Sequence, residues 1–382
     1  MSVSWGDHLV FGEGDGKLDT PERLDSAINS WKENLNTGTI LWRENRSRQD
    51  DYVFTTKGYE YAAKVHKNLP NFDDFEISVS LAHNHGLKNY LYVTLNDHGW
   101  PLPNEETRKI SCHNKWHAKD ISFQTRFSHD NPKYVLEDRN GNKQWGVLCL
   151  AYPEVREYLQ NQYIKLLEGY TFDGLFVCMR SQSKPSDFAD QFGFNEPIVQ
   201  EYRKKFGQNI LKDDFDLQLW RDLQGEYLTI FLSELNERLM EIDSSLGIGC
   251  SRGEIFGPPL GNATLNWRKW VDEKLVDFIA IDQSSSKCPS LWIDLWPMHR
   301  GYGYIQNYND SFNMNSLVKD LDEVYSEKFP NSESKLYVSR QWTNTTQKDQ
   351  ENILHHNSVS GLSISSYRHE NQSSIQKNNW EI

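Results

Sequence analysis

The sequence has few cysteines and no long apolar segment. Its five cysteines are an odd number at irregular spacing, and Cys149, Cys178 and Cys250 lie within apolar runs, so we expect reduced, buried thiols rather than a disulfide framework. No apolar run approaches the roughly 18 residues that a membrane-spanning helix needs. The amino-terminal segment lacks the pattern of a signal peptide, but a start Met that replaces a cleaved leader would look the same, so the compartment stays open.

The sequence also lacks an excess of positive charge. It carries 41 Lys and Arg residues against 54 Asp and Glu residues, which gives a net charge of −13 at pH 7. Because nucleic-acid phosphates are bound by basic surfaces, this balance argues against nucleic acid as a partner. It does not fix the charge inside a pocket, so an anionic small ligand is still compatible with it.

Motifs for cofactors and metals are missing as well. No glycine-rich dinucleotide fingerprint follows the first predicted strand, and the chain contains no internal repeat. Cys112, His113 and His117 form the densest group of metal-ligand types, but two of them are adjacent and no C-x-x-C pair follows. We therefore predict neither a metal nor a cofactor.

Aromatic residues, in contrast, are abundant. The chain contains 13 Trp, 18 Tyr and 18 Phe, together 13% of its residues. Aromatic faces stack on sugar rings, which favours a carbohydrate site, but a large domain also needs large core residues. Both interpretations stay open at this point.

Short strand-like runs alternate with helical patterns along the chain. Thr20 as N-cap and Pro21 at the first helical position begin one helix, and the apolar spacing predicts further helices at 153–169 and 217–243. The eight principal strands are predicted at His8–Phe11, Gly38–Trp42, Tyr90–Leu95, Gly174–Met179, Gly247–Cys250, Asp277–Ile281, Lys335–Ser339 and Gly361–Ser365.

This alternation predicts an α/β fold with a parallel sheet. Eight strands with interposed helices indicate a (β/α)8 TIM barrel with long βα-loop insertions, and a doubly wound open sheet is the alternative. Residues 97–147 are too long for a simple connection and are predicted to be an insertion over the barrel mouth. Tyr302–Ile305 is predicted to be an extra strand or hairpin. Residues 1–382 then form a single barrel domain with a polar tail at about 370–382.

Polar side chains cluster just after the predicted strands, where such barrels carry their chemistry. Arginine follows five of these strands, and guanidinium groups bind carboxylate or sulfate in a bidentate manner, which favours an anionic sugar. The alternative is that each arginine pairs with a neighbouring carboxylate. The predicted substrate-binding residues are Arg43, Glu44, His98, Arg180, Arg252, Gln283 and Arg340, with Trp42, Trp100 and Trp342 stacking on sugar rings.

Glycoside hydrolysis needs two carboxyl groups, one on each side of the scissile bond. Glu254 and Asp282 follow the fifth and sixth predicted strands, which are neighbours, and Asp97 follows the third. Two close carboxylates raise the pKa of one of them, as a general acid requires. We predict Glu254, Asp282 and Asp97 as the catalytic residues; the alternative is that some of them only orient arginines.

Asn195-Glu196-Pro197 matches the acid/base motif of a large clan of retaining barrel enzymes. In that clan the motif directly ends the fourth strand, whereas here the predicted strand ends near Met179. Because Pro197 suits the first turn of a helix, we interpret Asn195 or Glu196 as a helix cap.

Two stretches, Phe172-Asp173-Gly174-Leu175 and the segment from Ala151 to Tyr158, resemble the family-10-like glycosyl hydrolases. The resemblance covers about residues 145–310 and implies a (β/α)8 fold that acts on polysaccharide. Related barrels often carry an aspartate at the end of the fourth strand, whereas this chain reads Cys178-Met179-Arg180. That departure moves the predicted acid to the third, fifth and sixth strands.

We therefore predict a glycoside hydrolase whose partner is an anionic poly- or oligosaccharide, sulfated or containing uronic acid. A polysaccharide lyase with His98 or a tyrosine as base is the first alternative. A carbohydrate-binding barrel without activity is the second. The sequence leaves linkage, stereochemistry and oligomeric state open.

Overall fold

The computed structural model describes residues 1–44, 52–54, 59–101, 121–179, 192–251, 263–282, 314–340 and 347–366. The strands, in chain order, are β1 (Ser2–Val3), β2 (Thr39–Arg43), β3 (Tyr52–Phe54), β4 (Lys88–Thr94), β5 (Gly99–Pro101), β6 (Ile121–Thr125), β7 (Val135–Glu137), β8 (Lys143–Leu148), β9 (Gly174–Cys178), β10 (Ser245–Ser251), β11 (Phe278–Asp282), β12 (Lys335–Arg340) and β13 (Gly361–Ile364).

Helices separate most of these strands. They are α1 (Trp5–Phe11), α2 (Pro21–Leu35), α3 (Tyr59–Asn68), α4 (Asp74–Asn84), α5 (Arg126–Asp130), α6 (Pro153–Gly169), α7 (Glu196–Phe206), α8 (Leu217–Glu241), α9 (Trp267–Asp272), α10 (Met314–Glu323) and α11 (Gln347–Leu354). Within the described ranges, no helix combines the length and the apolar character needed to cross a membrane.

Eight strands form one parallel sheet in the order β1-β2-β4-β9-β10-β11-β12-β13. The sheet closes on itself, because Ser2 of β1 forms a parallel bridge with Ser365 after β13 and the Ser366 amide donates to the Ser2 carbonyl over 2.9 Å. The predicted (β/α)8 barrel is confirmed, and the closure excludes the doubly wound alternative.

The prediction of the first strand was wrong. Residues 5–11 form α1, and the first strand is the two-residue β1 before it. Trp5 and Leu9 are four residues apart, so a helix places both on one face, where both are buried. The segment His8–Phe11 resembles a strand in sequence because it ends in consecutive apolar residues. The burial of Trp5 and Leu9 instead follows the spacing of a helix.

The other seven predicted barrel strands are confirmed within a few residues. Thr20 caps α2 as expected, since its Oγ1 accepts from the Arg23 amide at 3.3 Å, and the helix predicted at 153–169 matches α6. The predicted insertion at 97–147 is more regular than expected in its described part, because it contains β5 to β8 and α5. Tyr302–Ile305 lies outside the described residues.

Side chains alternate between the barrel interior and the surrounding helices. The interior is rich in aromatic rings and contains Leu41, Tyr90, Tyr92, Phe176, Cys178, Phe278, Ala280 and Tyr337. Glycines make room for these rings: a Cβ on Gly247 would lie 2.0 Å from Phe278 Cζ, and one on Gly249 would lie 2.5 Å from Phe176 Cζ. The opposite faces of the strands pack against the helices in a second, larger apolar core.

Candidate functional site at the carboxyl end of the barrel

An arginine and an aspartate from neighbouring strands meet at the carboxyl end of the barrel. Arg43 is the last residue of β2 and has the inward parity of Leu41, and Asp97 lies in the turn after β4. Arg43 Nη2 is 3.6 Å from Asp97 Oδ2, and the Thr94 hydroxyl donates to the same oxygen at 3.4 Å. The pair lies where barrel enzymes place catalytic residues.

The two partners of this ion pair differ in exposure. The Asp97 side chain is 3% exposed, whereas the Arg43 side chain is 25% exposed and therefore reaches solvent. The Arg43 guanidinium also lies over the ring of Tyr92, with Cζ 5.6 Å from the ring centroid. Burial alone lowers the pKa of Arg43, but Tyr92 and the Asp97 carboxylate outweigh it and the net shift is upward. The site thus holds a permanent cation beside a buried carboxylate.

His98 follows Asp97 and is held by its backbone. Its amide donates to the Gly146 carbonyl at 3.0 Å and its carbonyl accepts from the Thr125 amide at 2.8 Å, which ties the turn after β4 to the insertion. Neither ring nitrogen of His98 makes a hydrogen bond that meets ordinary geometry within the described parts of the chain. Burial lowers the pKa of His98 to about 4, against smaller opposing effects of Asp97 and the Leu95 backbone. The imidazole is therefore neutral near pH 7.

The lowered pKa of His98 predicts a loss of stability in mild acid. Between pH 6.5 and about 4 the unfolded chain binds a proton at His98 that the folded protein does not, so the free energy of unfolding falls as pH falls through this window. We expect His98 to contribute up to about 3 kcal/mol to this loss, at about 1.4 kcal/mol per pH unit. Denaturant titrations of the wild type and of His98→Gln at several pH values measure the difference.

The matched control for His98→Gln is His66→Gln, because His66 is exposed. It should leave the pH dependence of unfolding unchanged. Parallel pH profiles of the wild type and His98→Gln would contradict the assigned protonation state.

Glu44 lies on the same rim as Arg43. Its amide donates to the Tyr92 carbonyl at 2.9 Å, which extends the pairing of β2 with β4 by one residue. Glu44 also influences Tyr163 of α6, whose pKa is raised by burial first and by the Glu44 charge second. The backbones of Arg43, Glu44, Asp97 and His98 thus lie at one edge of the barrel, where the side chains of Arg43 and Asp97 meet and the His98 ring lies 6.3 Å from the ring of Tyr158 on α6.

The structure places Trp42 and Arg340 elsewhere. Trp42 points outward from β2, is fully buried, and donates its indole N–H to Asp74 Oδ2 at 2.8 Å. Its ring packs on Trp5 at 6.2 Å between centroids, so no face is left for a sugar and we assign Trp42 to the core. Arg340 has the outward parity of Val338 and is 6% exposed.

Arg340 therefore belongs to the layer between the barrel and its helices. This position agrees with the alternative given above, in which an arginine interacts with a neighbouring carboxylate of the protein. Burial lowers the pKa of Arg340, and the carboxylate of Asp349 on α11 opposes this shift. Asp349 comes from the helix that follows β12, so the interaction is local to one β/α unit.

The other candidate carboxylates belong to the chain segments of two neighbouring strands, β10 and β11. Asp282 ends β11 in register with Ser251 of β10 and Ser339 of β12. Glu254 follows Ser251 by three residues, so the expectation that it and Asp282 come from adjacent strands is confirmed for the strands themselves. Residues Arg180, Arg252, Glu254, Gln283 and Trp342 lie outside the described residues, as do Cys112, His113 and His117. Of Trp100 the structure describes the backbone in β5.

Asn195 of the Asn-Glu-Pro motif has a structural role. It occupies the N-cap position of α7 as expected, but its side chain does not cap the helix. Instead its Oδ1 accepts from the Glu137 amide at 3.1 Å, and its Nδ2 donates to the Val135 carbonyl at 2.9 Å. The motif thus fastens α7 to β7, and Glu196 is exposed.

We expect Asn195→Ala to lower the free energy of unfolding by about 1–3 kcal/mol, because it leaves the part-buried Glu137 N–H and the buried Val135 C=O without this partner. Chemical denaturation of the purified variant measures this change. Glu196→Gln is the matched control and should alter neither stability nor turnover. Loss of turnover in Glu196→Gln at unchanged stability would instead make the motif catalytic.

Two residues of the site were not predicted from the sequence. The Tyr92 ring lies beneath the Arg43 guanidinium, and the Thr94 hydroxyl donates to Asp97. Both occupy alternate positions of β4 that face the barrel interior, so the alternation of inward and outward residues along the strand could have predicted them. Within the described ranges, no group of three or more His, Cys, Asp or Glu side chains is placed to hold a metal ion.

Comparison with known proteins gives a fold. No protein-family model matches the sequence, and no curated protein sequence matches it. Among solved structures, the chain is similar to the glycoside hydrolase domain of PgaB (BpsB) from Bordetella bronchiseptica, with a TM-score of 0.52 and 12% identity over 98% of this chain and 94% of that one.

Two other solved structures resemble the chain more weakly. An α-L-fucosidase isoenzyme from Paenibacillus thiaminolyticus gives a TM-score of 0.48 and 10% identity over 94% of this chain and 46% of that chain. A maltogenic α-amylase from Thermotoga neapolitana gives 0.45 and 11% over 99% and 68%. At these identities, the likeness to the PgaB domain shows that the chain shares its (β/α)8 fold, which agrees with the closed barrel described above.

Proposed function

We propose that this protein is a glycoside hydrolase that cleaves an anionic glycan, sulfated or containing uronic acid, by carboxylate acid/base catalysis. The observation that carries the proposal is the Arg43–Asp97 pair at the carboxyl end of the barrel, which joins a buried carboxylate to a partly exposed guanidinium. The likeness to a glycoside hydrolase domain supports the reaction class. The resemblance of residues 145–310 to family-10-like glycosyl hydrolases supports it as well.

In this proposal Asp97 is the nucleophile or general base. Its carboxylate accepts a hydrogen bond from Thr94 and faces the Arg43 guanidinium, so it is held in place as a group that can attack or accept a proton. The general acid is then Glu254, which follows β10 in the sequence, or Asp282, which ends the adjacent strand β11. A single strand, β9, lies between β4 and β10, so the strands from which these residues come are close together in the sheet, as the proposal requires.

Arg43 is the proposed contact for the anionic group of the glycan. One guanidinium nitrogen faces Asp97, and the side chain is exposed enough to offer its other donors to a sulfate or carboxylate. Arg180 and Arg252 follow β9 and β10 in the sequence, and these two strands come after β4 in the order β2-β4-β9-β10. We propose both arginines as further anion contacts.

The test is an activity screen of the purified protein on neutral, uronate-rich and sulfated polysaccharides and their oligosaccharides. Reducing ends and near-ultraviolet absorbance are followed together. The proposal expects new reducing ends from anionic substrates without absorbance. Product from neutral glycans alone would refute the anionic substrate, and no product from any of them would refute the hydrolase.

The same screen assigns the general acid. Glu254→Gln and Asp282→Asn are compared with Glu241→Gln, a control at an exposed carboxylate on the last turn of α8. The acid is the residue whose substitution removes most turnover while the protein stays folded. Wild-type rates in both variants would remove both from the mechanism.

A polysaccharide lyase is the second candidate, and His98 favours it. Its neutral imidazole, which follows Asp97 in the chain, is in the form that accepts a proton. In that reaction Arg43 would neutralise the uronate carboxylate and His98 would remove the adjacent ring proton, while the bond to the neighbouring leaving oxygen breaks and that oxygen takes up a proton. This reaction leaves an unsaturated product, so absorbance that grows with the reducing ends would replace the hydrolase proposal with the lyase.

A further inference from the structure

A cavity opens at the amino end of the barrel, opposite the candidate site. Its volume is ≈ 840 Å³, which lies within the range of small-molecule sites. The wall is formed by the first residues of several barrel strands and by the loops that lead into them, and residues from β2, β4, β10, β11, β12 and β13 contribute.

The deep part of this cavity is aromatic. Phe278 lies between Tyr90, at 5.6 Å between ring centroids, and Tyr337, at 5.3 Å, and both contacts are edge-to-face. All three side chains line the cavity. Tyr90 and Phe278 are largely buried and present only part of their rings to the cavity, so this wall suits a ligand with a cyclic, apolar body.

The cavity is separate from the candidate active site. Phe176 stacks on Phe278 at 5.9 Å between centroids and packs against Tyr92 at 4.9 Å, and Tyr92 in turn lies beneath Arg43. These rings fill the barrel between its two ends. A ligand at the amino end therefore does not contact Arg43 or Asp97.

Two lysines line this cavity from opposite sides of the barrel. Lys88 begins β4 and Lys335 begins β12, and these strands are separated by β9, β10 and β11. Both have the inward parity of the tyrosine two residues later, and both are exposed. Within the described parts of the chain, neither lysine has a carboxylate at ion-pair distance.

The acidic groups that line the cavity are already engaged. Asp277 Oδ2 accepts from the Leu246 amide at 2.6 Å, and Glu333 pairs with Lys274 at 2.6 Å. Among the described residues that line the cavity, the side-chain cations that remain available to a ligand are thus Lys88 and Lys335. In a protein of net charge −13, two such lysines around one aromatic cavity favour an anion.

We propose that the amino end of the barrel is a binding site for a small organic anion that carries a ring. The ring packs against Tyr90, Phe278 and Tyr337, and the anionic group is bound by Lys88 and Lys335. The ligand class is defined by this pairing of a cyclic body with a sulfonate, sulfate or carboxylate group.

The test uses two fluorescent dyes that share the same rings. One is 8-anilinonaphthalene-1-sulfonate, an anion, and the other is N-phenyl-1-naphthylamine, which is neutral. We expect the wild type to bind the sulfonate saturably at one site per chain and more tightly than the neutral dye. The variant Lys88→Glu with Lys335→Glu should bind the sulfonate at least 10-fold more weakly, with binding of the neutral dye unchanged.

The matched control is Lys64→Glu with Lys212→Glu, which makes the same change in net charge at two exposed lysines outside the cavity. It should bind both dyes like the wild type. Equal affinity for the two dyes, no loss of the sulfonate in the cavity variant, or the same loss in the control would each overturn the proposal. So would the absence of saturable binding to the wild type.

Discussion

Replacing Asp97 with asparagine is expected to lower kcat/KM on the glycan substrate by about 10²- to 10⁴-fold, the range typical of a group that transfers protons in the transition state. Asparagine keeps the size of the side chain and can still accept from Thr94, but it removes the charge that faces Arg43 at 3.6 Å. Initial rates of reducing-end release measure the effect on the best substrate of the screen.

Two controls separate catalysis from folding in this experiment. Asp214→Asn changes an exposed aspartate that is distant from Asp97 in the sequence, and it should leave turnover unchanged. The thermal unfolding of Asp97→Asn should show that the variant is folded at the assay temperature. A folded Asp97→Asn protein with wild-type turnover would remove Asp97 from the mechanism.

Trp42→Ala is expected to lower the free energy of unfolding by about 3–5 kcal/mol, which is typical of a truncated core tryptophan. The substitution empties a fully buried position against Trp5 and removes the indole N–H that donates to Asp74. Denaturant unfolding followed by circular dichroism measures the change.

Trp42→Phe is the matched variant, because it keeps a ring in the core and removes the N–H donor. It should be destabilised less than Trp42→Ala and should retain substrate affinity. A stable Trp42→Ala protein whose KM for the glycan rises strongly would contradict the core assignment and return Trp42 to the substrate site.

The strands that are long and apolar could be predicted from the sequence. The inner strands β4, β9, β10 and β11 are buried on both faces, so their residues form continuous apolar runs that mark them clearly. β1 could not be predicted in this way, because two residues carry no periodicity and the adjoining α1 has a denser apolar pattern.

The candidate site could be predicted only as a set of strand ends. Arg43 and Asp97 were identified because they follow strands, and the structure joins them. Trp42 and Arg340 follow or end strands too, but they have the outward parity, and a strand buried on both faces does not reveal which parity faces the barrel axis. Only the strand register in the structure shows which of these residues face the barrel axis and which face the helices.

The amino-end cavity could not be predicted from the sequence for a different reason. Lys88 and Lys335 begin strands that are 247 residues apart in the numbering, and each looks in the sequence like an ordinary charged residue at a strand start. Only barrel closure places them on opposite sides of one aromatic cavity. Sites built from opposite strands of a closed sheet need the topology before they can be recognised.

We propose that a carboxylate at the carboxyl end of the barrel hydrolyses an anionic glycan that Arg43 helps to bind. The most direct measurement compares kcat/KM on a uronate-containing glycan with kcat/KM on the same glycan after its carboxylates have been reduced to alcohols. The proposal predicts reducing ends without near-ultraviolet absorbance from the first substrate, and a rate at least about 10-fold lower on the second, equivalent to the loss of roughly 1.4 kcal/mol or more of binding. Equal rates on the two substrates would contradict it.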